Sequence, residues 1–275
     1  MDYLEFKLTL LKGNDPEILM AMLAEIGFES FTEPGEEIRG YISEDMFRKE
    51  IILPFLNKLV ASGRLKYHYT SIVARNWNAL WESQYDPVII DGKCMVRAPF
   101  HEPLRKMQYD IVIEPKMSFG TAHHETTSLM IRFLMKESLK GKRVLDMGCG
   151  TGVLAILAAK MDAREVVAID NDEWAYANAV ENMAKNHAGT VIVIRGEAAD
   201  IPEPAYDLVV ANINRNVLIS DIPVYARSLV PQGGLLISGF YEEDLEPLKL
   251  SGTQAGLKFS VFMEDNKWAC AKFTK

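Results

Sequence analysis

Between residues 143 and 239, short apolar runs alternate with longer stretches of helical spacing. Residues 144–146, 166–169, 191–194, 207–212 and 235–239 read as buried strands. Residues 152–160, 173–186 and 216–229 read as the helices between them, the second with Trp174, Ala177, Val180 and Met183 on one face. Strand and helix in strict alternation predict a doubly wound, mostly parallel α/β sheet. The end of the chain switches to period two: residues 258–264 and 267–273 flank Asp265-Asn266, an antiparallel hairpin.

The beginning follows another pattern. Tyr3 to Leu10 alternates as a half-buried strand, and Asp15-Pro16 opens a helix carrying Ile18, Leu19, Met22, Leu23 and Ile26. Strands at 28–32 and 38–42 flank a turn at Pro34-Gly35. A helix over 43–61, kinked or restarted at Pro54, leads to a strand at 65–72. The order β-α-β-β-α-β predicts a small α+β ferredoxin-like domain. Expected boundaries are therefore a domain over 1–73, a linker over 74–87 and the α/β domain over 88–275. Within the linker Trp77 and Trp81 are spaced to share a helix face, either packing the linker or meeting a ligand. A hairpin is expected at 88–97 around Asp91-Gly92, a short strand at 111–113, and a helix from Glu125 to Glu137.

Composition narrows the class. The 275 residues are 48% hydrophobic and 25% charged, ordinary for a soluble globular protein. No apolar run approaches the roughly 18–20 residues of a membrane span, and the acidic, alternating N-terminus is no secretory signal. Three cysteines are too few and too scattered for a disulfide framework or a zinc site, so a cytoplasmic protein is expected. A net charge of −8 argues against broad nucleic-acid binding.

Candidate chemistry centres on Val144-Leu145-Asp146-Met147-Gly148-Cys149-Gly150-Thr151-Gly152, where a strand turns sharply into a helix. About 20 residues beyond the glycines, a second strand ends at Asp170, placed to hold a ribose diol. The glycines follow G-x-G-x-G; Val153 stands where a dinucleotide site needs its third glycine, and no P-loop lysine is present. A ligand with an adenosine end and no phosphates fits. The pattern resembles the first motif of class I methyltransferases, which bind S-adenosylmethionine. In that setting Asp146 would meet the cationic methionine end, directly or through water. Asn212, ending the fourth strand, would accept a hydrogen bond from an incoming amine, or else be a strand-end turn residue. His123 and His124 are adjacent and share no helix face, so a metal site is not expected. No dedicated general base is visible, which leaves positioning as the expected source of catalysis.

A closer resemblance rests on three stretches: Ser118-Phe119-Gly120-Thr121-Ala122-His123-His124-Glu125-Thr126-Thr127, the glycine loop, and Val210-Ala211-Asn212-Ile213. Together they resemble the ribosomal protein L11 methyltransferase family (PrmA), whose lid reads roughly A-F-G-T-G-T-H-P-T-T. The tryptophan-rich connector and small first domain are also similar. The resemblance implies a Rossmann-like class I methyltransferase domain using S-adenosyl-L-methionine to methylate lysine and N-terminal amines of ribosomal protein L11. It implies that the first domain grips L11 and that the connector lets it reorient. It places cofactor contacts on Thr127, Gly148, Asp170 and Asn212, with Gly150 in the same loop, in a monomer that binds neither membrane nor nucleic acid. Ala122, His123 and Glu125 depart from the family's lid, and Asn214-Arg215-Asn216 is more polar than expected. Two other readings remain. A class I enzyme acting on RNA or a small molecule would more often carry N-P-P-Y at the fourth strand. A non-catalytic ribosome-associated adaptor would tolerate a degraded glycine loop.

Overall fold

Alternation along Tyr3–Leu10 (β1) buries Leu4, Phe6 and Leu8 on one face. The computed structural model describes residues 3–11, 15–32, 37–72, 85–116 and 118–275. Trp77, Trp81, the Pro34-Gly35 turn and Met117 lie outside them. The chain divides into two units, Met1–Tyr85 and Asp86–Lys275.

In the first unit, α1 (Pro16–Glu25) starts where the Asp15 side chain accepts from the Glu17 N–H at 2.9 Å. It is followed by β2 (Ser30–Phe31), β3 (Glu37–Ser43), α2 (Lys49–Ala61) and β4 (Leu65–Ile72). The sheet order is β2-β3-β1-β4 with every pair antiparallel, the ferredoxin-like arrangement. Phe6 sits at its centre, edge-on to Phe28 at 5.1 Å and stacked on Tyr69 at 4.8 Å. Two expectations change. Residues 44–46 form a separate 3-10 turn, so α2 begins at Lys49, and it runs through Pro54 unbroken. Proline removes one intrahelical bond there, but burial of Ile52 and Leu56 on the opposite side holds the helix together.

The second unit opens with β5 (Val88–Ile90), β6 (Cys94–Arg97) and β7 (Tyr109–Val112). The first two pair as the expected hairpin, and β7 joins them parallel to β6. Helix α3 (Glu125–Leu134) follows, a turn shorter than expected. Next come β8 (Arg143–Met147), α4 (Val153–Lys160), β9 (Glu165–Asp170), α5 (Glu173–Lys185), β10 (Val191–Arg195), β11 (Tyr206–Asn212) and α6 (Arg215–Ser228). The chain closes with β12 (Leu229–Tyr241), α7 (Leu245–Gln254), β13 (Lys258–Asp265) and β14 (Trp268–Thr274). The sheet order is β10-β9-β8-β11-β12-β14-β13, parallel through β12 and antiparallel at β14 and β13. One core packs α3, α4 and α5 on one face; α6 and α7 pack on the other. The edge strand β13 carries a register irregularity between Phe259 and Val261. Among the described residues, no helix is long and apolar enough to cross a membrane.

Helix α5 corrects a further expectation. Trp174 is 80% exposed and Val180 44%, while the buried side carries Ala175, Asn178, Ala179, Asn182 and Met183. The asparagines point inward because loop backbone waits there. Asn186, just past α5, exchanges two bonds with Val112, its Oδ1 accepting at 2.9 Å and its Nδ2 donating at 2.6 Å. Asn182 accepts from the Glu114 N–H at 2.9 Å. A polar helix face is buried only when such partners exist.

Candidate active site

Because β8, β9, β10 and β11 are parallel, Gly148, Asp170, Gly196 and Asn212 all fall at one end of the sheet. They surround a cleft of ≈ 1630 Å³, larger than the roughly 300–1,000 Å³ of an ordinary small-molecule site. Phe119, His124, Thr126 and Trp268 form its other wall.

The glycine loop has positive φ at Gly148, Gly150 and Gly152. What crowds Gly150 is protein: a Cβ there would lie 2.3 Å from the Phe119 carbonyl oxygen. The residue's bareness therefore admits the lid backbone as well as any ligand. Asp170 spans the loop and the next helix, accepting from the Gly150 N–H at 2.8 Å and the Asp172 N–H at 3.0 Å. Each oxygen keeps a further lone pair for a diol. Of the basic side chains lining the cleft, Lys116 is engaged by Glu181, and Arg227, near the end of α6, is a single further cation and not a pair for a pyrophosphate. The residues present thus fit a nucleoside without phosphates.

Asn212 is held by one hand. Its Nδ2 donates to Thr127 Oγ1 at 3.2 Å, while its Oδ1 is buried with no hydrogen-bond partner in the protein. Asn212 lines the cleft, and its carbonyl oxygen, enclosed and without a partner in the protein, needs a donor that a ligand reaching it would supply. Thr127 is itself buried and lies behind Asn212, whereas Thr126 faces the cleft.

The two histidines take different tasks. His123 joins Thr121 Oγ1 at 3.1 Å and the Asp86 carbonyl at 3.0 Å. His124 caps α3: its Nδ1 accepts from the Thr126 N–H at 3.3 Å. The same Nδ1 lies 2.9 Å from Thr126 Oγ1. Its ring lies 4.7 Å from Trp268 and 5.3 Å from Phe119.

Asp146 lies beneath the loop, its Oδ2 accepting from the Ala155 N–H at 3.0 Å and its Oδ1 unpaired. Burial, aided by the charge of Asp170 and opposed by the Ala155 bond, pushes its carboxyl from 3.8 to about 7. Burial likewise raises the Cys149 thiol, with both carboxylates adding to it. Sequence reasoning missed Thr151, Asn182 and Trp268. Only the i, i+4, i+8 spacing of Asn178, Asn182 and Asn186 offered a signal.

The sheet order, the switch-point cleft and the acid at the end of β9 define a class I S-adenosylmethionine-dependent methyltransferase. The family described as ribosomal protein L11 methyltransferase (PrmA) matches residues 19–275, and the chain belongs to that family of protein methyltransferases. A ribosomal protein L11 methyltransferase of Phocaeicola vulgatus is 39% identical over 99% of both chains. One of Porphyromonas gingivalis is 44% identical over 94% of this chain and 90% of its own. The crystal structure of a ribosomal protein L11 methylase from Lactobacillus delbrueckii subsp. bulgaricus is 26% identical, with a TM-score of 0.65. It covers 70% of this chain and 99% of that one.

Proposed function

We propose that the protein methylates lysine side-chain and N-terminal amino groups of ribosomal protein L11, acting as a cytoplasmic monomer. The observation that carries the reading is Asn212, a residue of the cleft wall whose buried Oδ1 has no partner in the protein. S-adenosylmethionine supplies a methyl group on a sulfonium, an electrophile with a good leaving group. Gly148 and Gly150 line the cleft that receives it, and Asp170 holds its ribose hydroxyls. Thr127 fixes the amide of Asn212, whose oxygen accepts from the amine and orients the nitrogen lone pair. An ammonium has no lone pair, so its proton leaves to water before transfer. Residues 1–73 serve as the substrate-recognition domain, joined through 74–87 to the methyltransferase domain over 88–275. The first domain encloses a hydrophobic core of its own around Phe6.

Purified protein incubated with S-adenosylmethionine and L11 should add mass to L11 in steps of one methyl. Asp170→Ala should add none. An unchanged L11 mass, with cofactor binding shown separately, overturns the substrate and leaves the enzyme class standing.

A further inference from the structure

Thr151 is wholly buried in the glycine loop, yet both of its donors point at the lid. Its hydroxyl donates to the Gly120 carbonyl at 2.7 Å, and its N–H donates to the Phe119 carbonyl at 2.9 Å. From behind, the Thr151 carbonyl accepts from Asn182 Nδ2 at 2.9 Å. The same Asn182 side chain accepts from the Glu114 N–H, so α5 braces the glycine loop and the entrance to the lid together. The fit has no slack. A Cβ on Gly120 would lie 2.6 Å from Thr151 Oγ1, and one on Gly150 would strike the Phe119 carbonyl. The Phe119 ring, by contrast, is 53% exposed and lines the cleft. The contacts fix the lid's backbone and leave its aromatic side chain free to adapt.

We propose that Thr151 is a positioning residue that presets the lid, holding Phe119 and Gly120 on the glycine loop before any cofactor arrives. A wall already in place spares the cofactor the entropy of ordering it. The proposal rests on the reading of this cleft as the cofactor site.

Thr151→Val keeps the side chain's size and removes the donor, leaving the Gly120 carbonyl unpaired. Its Kd for S-adenosylhomocysteine should rise about tenfold, and amide exchange at residues 118–124 of the cofactor-free protein should accelerate by a similar factor. Thr151→Ser restores the hydroxyl and should return both towards wild type. A merely structural role would instead lower Tm without singling out residues 118–124. If Thr151→Val does not fold, Gly120→Ala reaches the same contact from the lid and leaves the glycine loop unaltered. Either variant binding S-adenosylhomocysteine within about twofold of wild type, with exchange at 118–124 unchanged, overturns the latch. Failure of the wild type itself to bind S-adenosylhomocysteine would instead overturn the reading of the cleft.

Discussion

The two units bury different kinds of side chain. Among the described residues, the first encloses aromatic and aliphatic groups around Phe6 and buries Ser43 as its one polar side chain. Among the described residues the second buries nine, of which Thr126, Thr127, Asp146, Thr151 and Asn182 gather around the lid and glycine loop. Apolar contact is non-directional, and a core built from it can repack. A buried hydroxyl or amide must meet its partner at one distance and angle or be left unsatisfied. The contrast locates the part of the molecule where geometry is fixed most narrowly. That part is the cleft.

The contrast breaks most plainly at Phe6. Phe6→Ala should cost the first unit about 3–5 kcal/mol, while the second unit's Kd for S-adenosylhomocysteine stays unchanged. Urea unfolding and calorimetric titration on the full chain test both halves; a weakened Kd would mean that the units are not independent. Asp146 sharpens the contrast through pH. The folded protein keeps a proton on this carboxyl that the unfolded chain releases above about pH 4. Folding therefore takes up a proton between about pH 4 and 7, and stability falls as pH rises through that window and levels off above it. A shift of this size is worth on the order of 4 kcal/mol. Asp146→Asn cannot ionise, so it should gain on wild type from acid to neutral pH, and a stability difference independent of pH would refute the assignment. The smallest effect is at Asn182. Asn182→Ala strands the Glu114 N–H and the Thr151 carbonyl and should cost about 2 kcal/mol in urea unfolding. A loss below about 0.5 kcal/mol would show that water replaces both bonds.

Much of the site was legible because its chemistry leaves marks on residue type. Only glycine suits the backbone at 148, 150 and 152, and an acid at the end of a second strand has a distinctive spacing. Those marks located the loop, Asp170 and Asn212. The braces were not legible. Asn182 and Thr151 are polar residues among polar neighbours, and nothing in the sequence says that backbone from residue 114 or 120 will meet them. The α5 face was misjudged for that reason: apolar periodicity grouped Trp174 and Val180 with Met183 on one face, whereas Met183 is buried beside the asparagines and Trp174 and Val180 are exposed. Helix α7 escaped notice because its buried contacts reduce to Leu245, Leu248 and Gly252 in a short segment. The helix expected over 43–61 starts later, at Lys49, because Ser43 ends β3 and is buried there.

The irregular register of β13 has a consequence for how molecules meet. A sheet's last strand offers its unpaired N–H and C=O groups to any extended segment nearby, and Val261 is 46% exposed on this one. The shift between Phe259 and Val261 puts the strand's outer ladder out of step, while Lys258, Glu264 and Asp265 charge its two ends. A second strand laid against it would lose hydrogen bonds midway and meet charge at either limit. The fold thus guards against fibrillar self-association at the edge where its antiparallel hairpin would otherwise invite it.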